Sequence, residues 1–349
     1  IKIEYSPFIT VYGSFIFIIL PIYLILFRES VFFNTNFKKY IGSLLVFIAP
    51  PLVPEVWVIS ISSQVYLCIS SIVILFMVNL RNSQKKINYL TVFIAGFSGV
   101  YTCCLLPLFF LNYFFKKNLY NFTNFIILFF SSVIQFYFVL RAKINNHLMD
   151  KVLVADLDLD IMINYTYNIL IKPIFGRQIT HFVWDDINYF IPEINLFYLI
   201  LFVFFILIIF FSYNYKDLFK IIFKDKILVY LIYIFFTISI LVLIGAAGDY
   251  VGGRYAVIPG ITLLLIILHL ASEMKGRTIK LFFIFLISIS LISGINEFRP
   301  PTENVKHQYI KYLDCINCPE WKNEIKKWKN DNNYTIRIWP YPKKTMTLK

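Results

Sequence analysis

The sequence predicts an all-α fold, a polytopic transmembrane helical bundle, on the basis of two observations. Of the 349 residues, 59% are hydrophobic and only 15% are charged, whereas a soluble domain carries about 25% charged residues. Several stretches also contain about 20 predominantly apolar residues in succession, the length that an α-helix needs to cross a bilayer. We therefore expect the bilayer to be the solvent for most of the chain.

The apolar runs predict about nine membrane segments. One of them, 89–114, is expected to be a broken helical hairpin that turns in the stretch GFSG (96–99), since irregular backbone at membrane depth is tolerated when protein shields it. The alternative is a straight span there with an additional crossing near 161–175. The predicted segments are 8–27, 39–51, 57–80, 89–114, 120–140, 194–213, 226–247, 254–272 and 279–294.

The connections between the segments predict the orientation of the bundle. Lysine and arginine concentrate in five of them, and such residues collect in cytoplasmic loops. We therefore attribute the net charge of +13 to topology, and no nucleic acid partner is expected. The five basic connections carry Arg28, Lys38 and Lys39; Arg81, Lys85 and Lys86; Lys116 and Lys117; Lys216, Lys220, Lys224 and Lys226; and Lys275, Arg277 and Lys280.

Two domains follow from this topology. Residues 1–294 form a transmembrane helical domain, within which 141–193 is an extracytoplasmic segment with one or two interfacial amphipathic helices. Arg141 fits this scheme poorly. Residues 295–349 are polar and form a small extracytoplasmic C-terminal cap, where a disulfide between Cys315 and Cys318 is plausible only outside the cytoplasm.

The first candidate site lies in GDYVGGRYAVIPG (248–260), where Arg254 begins an apolar segment on the predicted outer side. A charge at the edge of a bilayer is unfavourable unless it is solvated or paired, and the neighbouring glycines allow the backbone to approach a ligand closely. Arg254 and Tyr255 therefore suit an anion, most naturally a lipid phosphate that the guanidinium holds. The alternative is an interfacial corner in which Arg254 pairs with Asp249.

Acidic side chains supply further candidates. Glu55 lies in APPLVPEVWVIS, whose prolines prevent a continuous helix, and its carboxylate either takes part in acid–base chemistry or is a turn residue without chemistry. The adjacent Asp185 and Asp186 either hold a divalent metal or a sugar hydroxyl, or cap a helix and face water. A divalent metal is thus a possible cofactor, but no residue is assigned as a metal ligand.

Other polar residues receive weaker assignments. Arg177, in FGRQ, is a second possible phosphate ligand, and His269 is expected to be a packed core group. The polar stripe at residues 60–64 either joins helices by hydrogen bonds or lines a cavity. The sequence contains no Walker A motif, Rossmann glycine pattern or nucleophile elbow, so soluble nucleotide chemistry is not expected.

Three stretches carry a resemblance to a known superfamily. They are PEVWVISISSQVYL (54–67), GGRYAVIPG (252–260) and WKNEIKKWKNDNNYTIRIWP (321–340). With them the chain resembles bacterial multi-span proteins of the GT-C glycosyltransferase superfamily type. In that group a proline-flanked acidic turn follows an early span, a GRY motif opens a late one, and the tail ends in IWP.

The chain departs from this pattern in its first motif and at its start. Ser60 and Ser63 stand where the group has asparagines, and Tyr66 replaces a tryptophan. GT-C enzymes usually keep their catalytic carboxylate in the first outer loop, whereas this chain opens at Ile1 on the predicted outer side. We therefore expect the N-terminal span and that loop to lie upstream, so the catalytic residue is unassigned and Glu55 is only a candidate.

The resemblance implies transfer of a sugar from a polyprenyl-phosphate-linked donor, with inversion, to a glycan or lipid acceptor at the extracytoplasmic face of a bacterial inner membrane. The implied partners are that donor, the acceptor and membrane lipids. Arg254, perhaps with Arg177, offsets charge on the leaving lipid phosphate in this scheme. Glu55, Asp185 and Asp186 then position sugar hydroxyls or a metal.

Two functions of other classes are left open. A lipid or small-anion transporter or flippase also accounts for Arg254 and for a broken helix, because discontinuous helices commonly build transporter sites. A non-catalytic membrane assembly protein would instead use the C-terminal tail as its docking surface.

Overall fold

A computed structural model describes residues 5–49, 63–144, 166–181, 225–245, 253–297, 320–331, 334–338 and 344–346. The chain divides into two compact units, one formed by residues 14–297 and the other by residues 1–13 and 298–349. The described part is mostly helical, which confirms the predicted architecture in this coarse form.

The elements of the described residues are numbered here in chain order. A π-helix, Tyr167–Ile171, leads into α8, and a 3-10 helix, Gly253–Ala256, leads into α10. The helices and strands are α1 Ser6–Phe27, α2 Asn36–Ile48, α3 Ser63–Leu75, α4 Asn82–Ser98, α5 Val100–Cys103, α6 Leu106–Lys116, α7 Leu119–Ile144, α8 Lys172–His181, α9 Lys226–Gly245, α10 Val257–Glu273, α11 Arg277–Glu297, α12 Trp321–Asn330, β1 Ile336–Ile338 and β2 Lys344–Met346.

Three helices among the described residues are long and apolar enough to cross a membrane, at Leu119–Arg141, Lys226–Leu243 and Arg277–Glu297. The bent pair Asn82–Ser98 and Val100–Lys116 makes a fourth when it is counted as one span. The predicted nine spans are therefore not confirmed. Length is one reason, because the 13 residues of α2 reach about 20 Å, short of the ~30 Å of hydrocarbon. The predicted segment 194–213 and the start of 57–80 lie outside the described residues.

The connections that follow α1 and α3 are joined through their backbones. The N–H of Val31 donates to the carbonyl of Phe76 at 2.9 Å, and the N–H of Val78 donates to the carbonyl of Glu29 at 3.1 Å. This short antiparallel bridge satisfies backbone groups of the two connections themselves. It holds the first two basic connections side by side.

Side-chain contacts bring the other basic connections to the same place. Lys38 Nζ, at the start of α2, lies 2.8 Å from Glu273 Oε1 at the end of α10. Lys226 Nζ, at the start of α9, lies 4.6 Å from the ring centroid of Phe115 near the end of α6. The described residues of the basic connections thus meet at one end of the 14–297 unit, and we call it the basic end. Lys216, Lys220 and Lys224 of the fourth connection lie outside the described residues.

The segment formed by α4, α5 and α6 leaves the basic end and returns to it. The helix axes bend by 117° at the break around Gly99. Asn88 in the first arm donates to the hydroxyl of Tyr120 at 2.8 Å. Asn112 in the second arm donates to the carbonyl of Leu75 at 3.0 Å. Both contacts lie next to the basic connections, so the break predicted in GFSG is confirmed and the segment has the form of a hairpin.

The break is packed against the polar stripe of α3. A Cβ atom at Gly99 would meet Oε1 of Gln64, so the Gln64 side chain would have to shift to accept any residue larger than glycine. The hydroxyl of Ser98 donates to the carbonyl of Ala95 at 2.9 Å, one of the carbonyls that the end of α4 leaves without an intrahelical partner. The role of the stripe, in joining helices or in lining a cavity, stays a prediction.

Several helix boundaries differ from the prediction, and α3 ends at Leu75, before the predicted residue 80. α4 begins at Asn82, before the predicted residue 89, because the N–H of Arg81 donates to Gln84 Oε1 at 3.0 Å and closes the first turn. Lys85 consequently lies on a helix and not in a loop. α7 extends beyond its predicted end and carries Arg141, which explains why this residue fitted the predicted outer segment poorly.

The opposite end of the unit is formed where α2, α8 and α11 meet. Gly294 of α11 lies against the backbone carbonyl of Ile48, and Gly176 of α8 lies against Ser293. The start of α10 belongs to this end, because its last residue, Glu273, is at the basic end. We call this the far end.

The C-terminal unit contains a small local structure among its described residues. β1 and β2 pair antiparallel, an element that the sequence did not predict. Glu324 of α12 is 2% exposed and accepts hydrogen bonds from Lys327 Nζ at 2.9 Å, the Tyr334 hydroxyl at 2.7 Å and the N–H of Arg337 at 3.0 Å. Burial raises the pKa of Glu324, but these donors outweigh it, so the pKa lies below its ordinary value.

We expect Gly294→Ala to destabilise the protein, because the added Cβ would overlap the carbonyl of Ile48. Overpacking of this kind costs about 1–3 kcal/mol, which thermal unfolding of the purified chain in detergent would report as a lower melting temperature. Gly13→Ala is the matched control, since a Cβ there meets nothing within 4 Å. Equal melting temperatures for Gly294→Ala and wild type would contradict the close contact of α2 with α11.

Candidate functional site

Arg254 lies in the 3-10 turn that precedes α10 at the far end. Pro259 is tolerated in the first turn of α10, where the N–H groups have no intrahelical acceptor, and Tyr255 is 37% exposed. The turn and α10 together extend for about 33 Å, enough to cross ~30 Å of hydrocarbon. The backbone of Arg254 therefore occupies the edge of the bundle opposite to the basic end.

A second segment packs against this turn. The π-helix Tyr167–Ile171 contacts both the 3-10 turn and α10. It ends at Lys172, whose side chain is buried with 6% exposure. π-helices are rare and occur frequently at functional sites. Because Lys172 ends the π-helix that packs against the Arg254 turn, it is a candidate anion ligand that the sequence analysis missed.

The position of Lys172 is fixed by α11. The hydroxyl of Ser290 donates to the carbonyl of Pro173 at 2.7 Å. Gly176 adopts a φ of 76°, in the left-handed region that favours glycine, and a Cβ there would lie 2.8 Å from Ser293 Cβ. The segment that carries Lys172 therefore contacts α11 at two places, Pro173 and Gly176. We call the 3-10 turn, the π-helix and Lys172 the far-end site.

The far-end site contains only part of the predicted set. Arg254 and Tyr255 share its 3-10 turn, and Arg177 lies in α8. The pairing of Arg254 with a carboxylate stays a prediction, as does the divalent metal. No group of three or more His, Cys, Asp or Glu residues that could hold a metal occurs within the described ranges. The predicted residues Glu55, Asp185, Asp186 and Asp249 lie outside the described residues.

The basic end contains a separate cluster of buried charges. The side chain of Lys38 is 1% exposed and bonds Glu273 at 2.8 Å, with its Nζ 5.7 Å from the ring centroid of Phe32. His269 Nε2 lies 2.6 Å from Asp225 Oδ2, and the His269 and Phe32 rings are 5.5 Å apart. The hydrogen bond from Lys38 lowers the pKa of Glu273 and outweighs the effect of burial.

Asp225 has two roles at the basic end. Its Oδ1 accepts a hydrogen bond from the N–H of Ile227 at 2.9 Å, so it caps the N-terminus of α9, while its Oδ2 bonds His269. Burial raises the pKa of Asp225, but the hydrogen bonds from His269 and from the backbone outweigh it, and the pKa lies below its ordinary value. The prediction that His269 is a packed core residue is confirmed by its 1% exposure.

Sequence reasoning missed this partner of His269, although a signal for Asp225 existed. Aspartate directly before an apolar run is a common N-cap, and Asp225 precedes the run of α9. The pairing with His269 joins residues 44 positions apart, which periodicity cannot reveal.

Comparisons of the chain with models of known protein families, with curated proteins and with solved structures find no match. The argument for function therefore rests on the positions and contacts of the chain's own residues.

We expect Asp225→Asn to destabilise the protein at neutral pH. Asparagine keeps the helix cap but loses the negative charge opposite His269, and a hydrogen bond to a charged group contributes about 1.5–3 kcal/mol. Because the pKa of Asp225 is lowered in the folded state, its contribution is present above the unfolded pKa and is lost as the pH falls through the folded pKa. The melting temperatures of wild type and variant should therefore converge below about pH 4.

The control for this change is Glu29→Gln, since Glu29 is an exposed carboxylate at the same end that bonds the neutral amide of Asn79 at 2.9 Å. It should cost less than about 0.5 kcal/mol at neutral pH. A difference between wild type and Asp225→Asn that persists undiminished at pH 3 would argue against a charge-based role.

Proposed function

We propose that this protein is a membrane glycosyltransferase. In this proposal it transfers a sugar from a polyprenyl-phosphate-linked donor to a glycan or lipid acceptor at the extracytoplasmic face. The observation that supports it is the packing of the Arg254 turn against the segment that carries the buried Lys172. Two cationic residues are thereby brought to the end of the bundle where the positive-inside bias would place few of them.

The chemistry of a lipid-phosphate donor suits such a pair. The acceptor oxygen forms a bond to the anomeric carbon while the bond from that carbon to the phosphate oxygen breaks. Negative charge then grows on the departing lipid phosphate, where fixed cations stabilise the transition state more than the ground state. Arg254 and Lys172 are assigned this role, with Arg177 as an additional candidate from the same helix as Lys172.

The base of the reaction is a carboxylate that takes the proton of the acceptor hydroxyl. Glu55 is the candidate within the chain. Asp185 and Asp186 are proposed to bind sugar hydroxyls or a divalent metal, and Asp249 to orient Arg254 through an ion pair.

The proposed topology has nine membrane segments in a bacterial inner membrane. The basic end faces the cytoplasm, because lysine and arginine concentrate there, and the far end faces outward. The hairpin of α4–α6 supports this assignment, since it lets the second and third basic connections share one side. Residues 295–349 are then an extracytoplasmic cap.

A transporter for lipids or small anions is the second candidate function. The break at Gly99 favours it, because discontinuous helices commonly form transporter binding sites. Such a protein would move a labelled polyprenyl-phosphate sugar from one leaflet of a vesicle membrane to the other without forming a new glycosidic bond.

We expect Arg254→Lys to abolish most of the transfer. Lysine keeps the charge but cannot hold a phosphate in a bidentate manner, and loss of one preorganised donor typically costs about 100- to 1000-fold in rate. The measurement is label transfer from a panel of radiolabelled polyprenyl-phosphate hexoses to membrane extracts, with the purified protein in liposomes. Lys172→Gln should lower the same rate at least about tenfold.

The matched control is Arg277→Lys, which makes the same change at an exposed position of the basic end and should leave the rate unchanged. Full activity of Arg254→Lys, or equal losses in both arginine variants, would contradict the proposed role of the far-end site.

The proposed orientation predicts that Cys315, which lies outside the described residues, reacts with a membrane-impermeant thiol reagent in intact cells after reduction. A cysteine introduced by Lys275→Cys at the basic end should react only after lysis. Cys68 is fully buried, and Cys103 and Cys104 are half-buried, so their labelling is expected to be slow. The reverse pattern would invert the topology.

A further inference from the structure

A cavity of about 500 Å³ opens at the basic end, between the connection that follows α3 and the start of α7. Ligand pockets in proteins typically have volumes of about 300–1,000 Å³, so its size suits a small polar group. The described residues that line it are Met77, Val78, Asn79, Leu80, Lys85, Lys116, Asn118, Leu119, Tyr120 and Asn121.

The lining is positively charged. Lys85 comes from α4 and Lys116 from the end of α6, and none of the described lining residues is acidic. The ammonium of Lys226 adds positive charge nearby, on the ring of Phe115. Glu29 accepts a hydrogen bond from Asn79 on the rim. The two lysines of the lining outnumber the one exposed carboxylate on the rim. The cavity therefore has a net positive charge that suits an anion.

A buried amide lies beside the cavity. Asn121 is 4% exposed, its Oδ1 accepts a hydrogen bond from Asn112 at 3.4 Å, and its backbone N–H donates to Asn118 Oδ1 at 2.9 Å. The first turn of α7, which also lines the cavity, contributes the positive end of a helix dipole.

The surface beside the cavity is apolar. Leu119 lines the cavity and is 78% exposed, while Phe114, Phe115 and Phe122 nearby are 57%, 57% and 39% exposed. These side chains form the bilayer-facing surface next to the lysines. A ligand that carries both an anionic head and hydrocarbon chains would occupy the polar cavity and this apolar surface together.

We propose that this cavity binds the phosphate headgroup of an anionic phospholipid, with its acyl chains along α6 and α7. Basic pockets between membrane helices on the cytoplasmic side are a recognised form of lipid site. The inference does not depend on the proposed transfer reaction, because it concerns the opposite end of the bundle.

The test is titration of the purified full chain, in a neutral detergent, with dioctanoyl phosphatidylglycerol followed by isothermal calorimetry. The double variant Lys85→Gln/Lys116→Gln should bind at least about tenfold more weakly, because each lysine near an anionic headgroup contributes several-fold in affinity. The matched control is Lys86→Gln/Lys117→Gln, which removes the same charge from the neighbouring exposed lysines that do not line the cavity. It should bind within about twofold of wild type.

Two further probes identify the source of the phosphate. Dioctanoyl phosphatidylcholine should bind at least tenfold more weakly than phosphatidylglycerol if net charge is recognised, and inorganic phosphate should bind weakly because it has no chains. Equal weakening in both double variants, no weakening in the first, or equal affinity for phosphatidylcholine would overturn the proposal. If inorganic phosphate binds as tightly as the lipid, the ligand of the cavity is a free anion and not a lipid.

Folding is controlled separately. Each variant is compared with wild type by circular dichroism and gel filtration before titration. If the double variant does not fold, Lys116→Gln alone, at an exposed position, is compared with Lys117→Gln, and a ratio of affinities near one would likewise reject the site.

Discussion

Two side-chain contacts at the basic end determine how the helix ends are held together. Lys38, with 1% of its side chain exposed, bonds Glu273, and Asp225 bonds the buried ring of His269. Removing Glu273 would leave the buried ammonium of Lys38 without its carboxylate partner. Each pair connects α10 to a different helix, α2 in one case and α9 in the other. The position of α10 along the bundle axis is therefore fixed at the basic end. This also fixes the position of the Arg254 backbone at the far end.

The hairpin of α4–α6 depends on amides in a similar way. Asn112 of α6 donates to the carbonyl of Leu75, at the end of α3, at 3.0 Å. Asn88 of α4 bonds Tyr120 of α7. Because these amides lie where both arms reach the basic end, they hold the two arms of the hairpin against α3 and α7. The hairpin also brings Lys85 and Lys116 to one cavity.

The sequence was sufficient for features that depend on neighbouring residues and insufficient for those that depend on distant ones. Apolar runs predicted the helices, and glycine spacing predicted the break at Gly99. The burial of Lys172 was not predictable, since a lysine between apolar residues also suits an interfacial helix. What buries it is packing against α11, where Ser290 bonds Pro173 across 117 positions.

Lysine residues have different surroundings at the two ends of the bundle. The exposed fraction of each lysine distinguishes them better than the number of lysines at each end. At the basic end, Lys86 and Lys117 are exposed and act through hydration and topology, whereas Lys38 is buried against a carboxylate. At the far end, Lys172 is 6% exposed in a segment joined to the Arg254 turn, where few cations are expected on topological grounds. The same residue type therefore has different surroundings at the two ends of the unit, which its position in the sequence alone does not reveal.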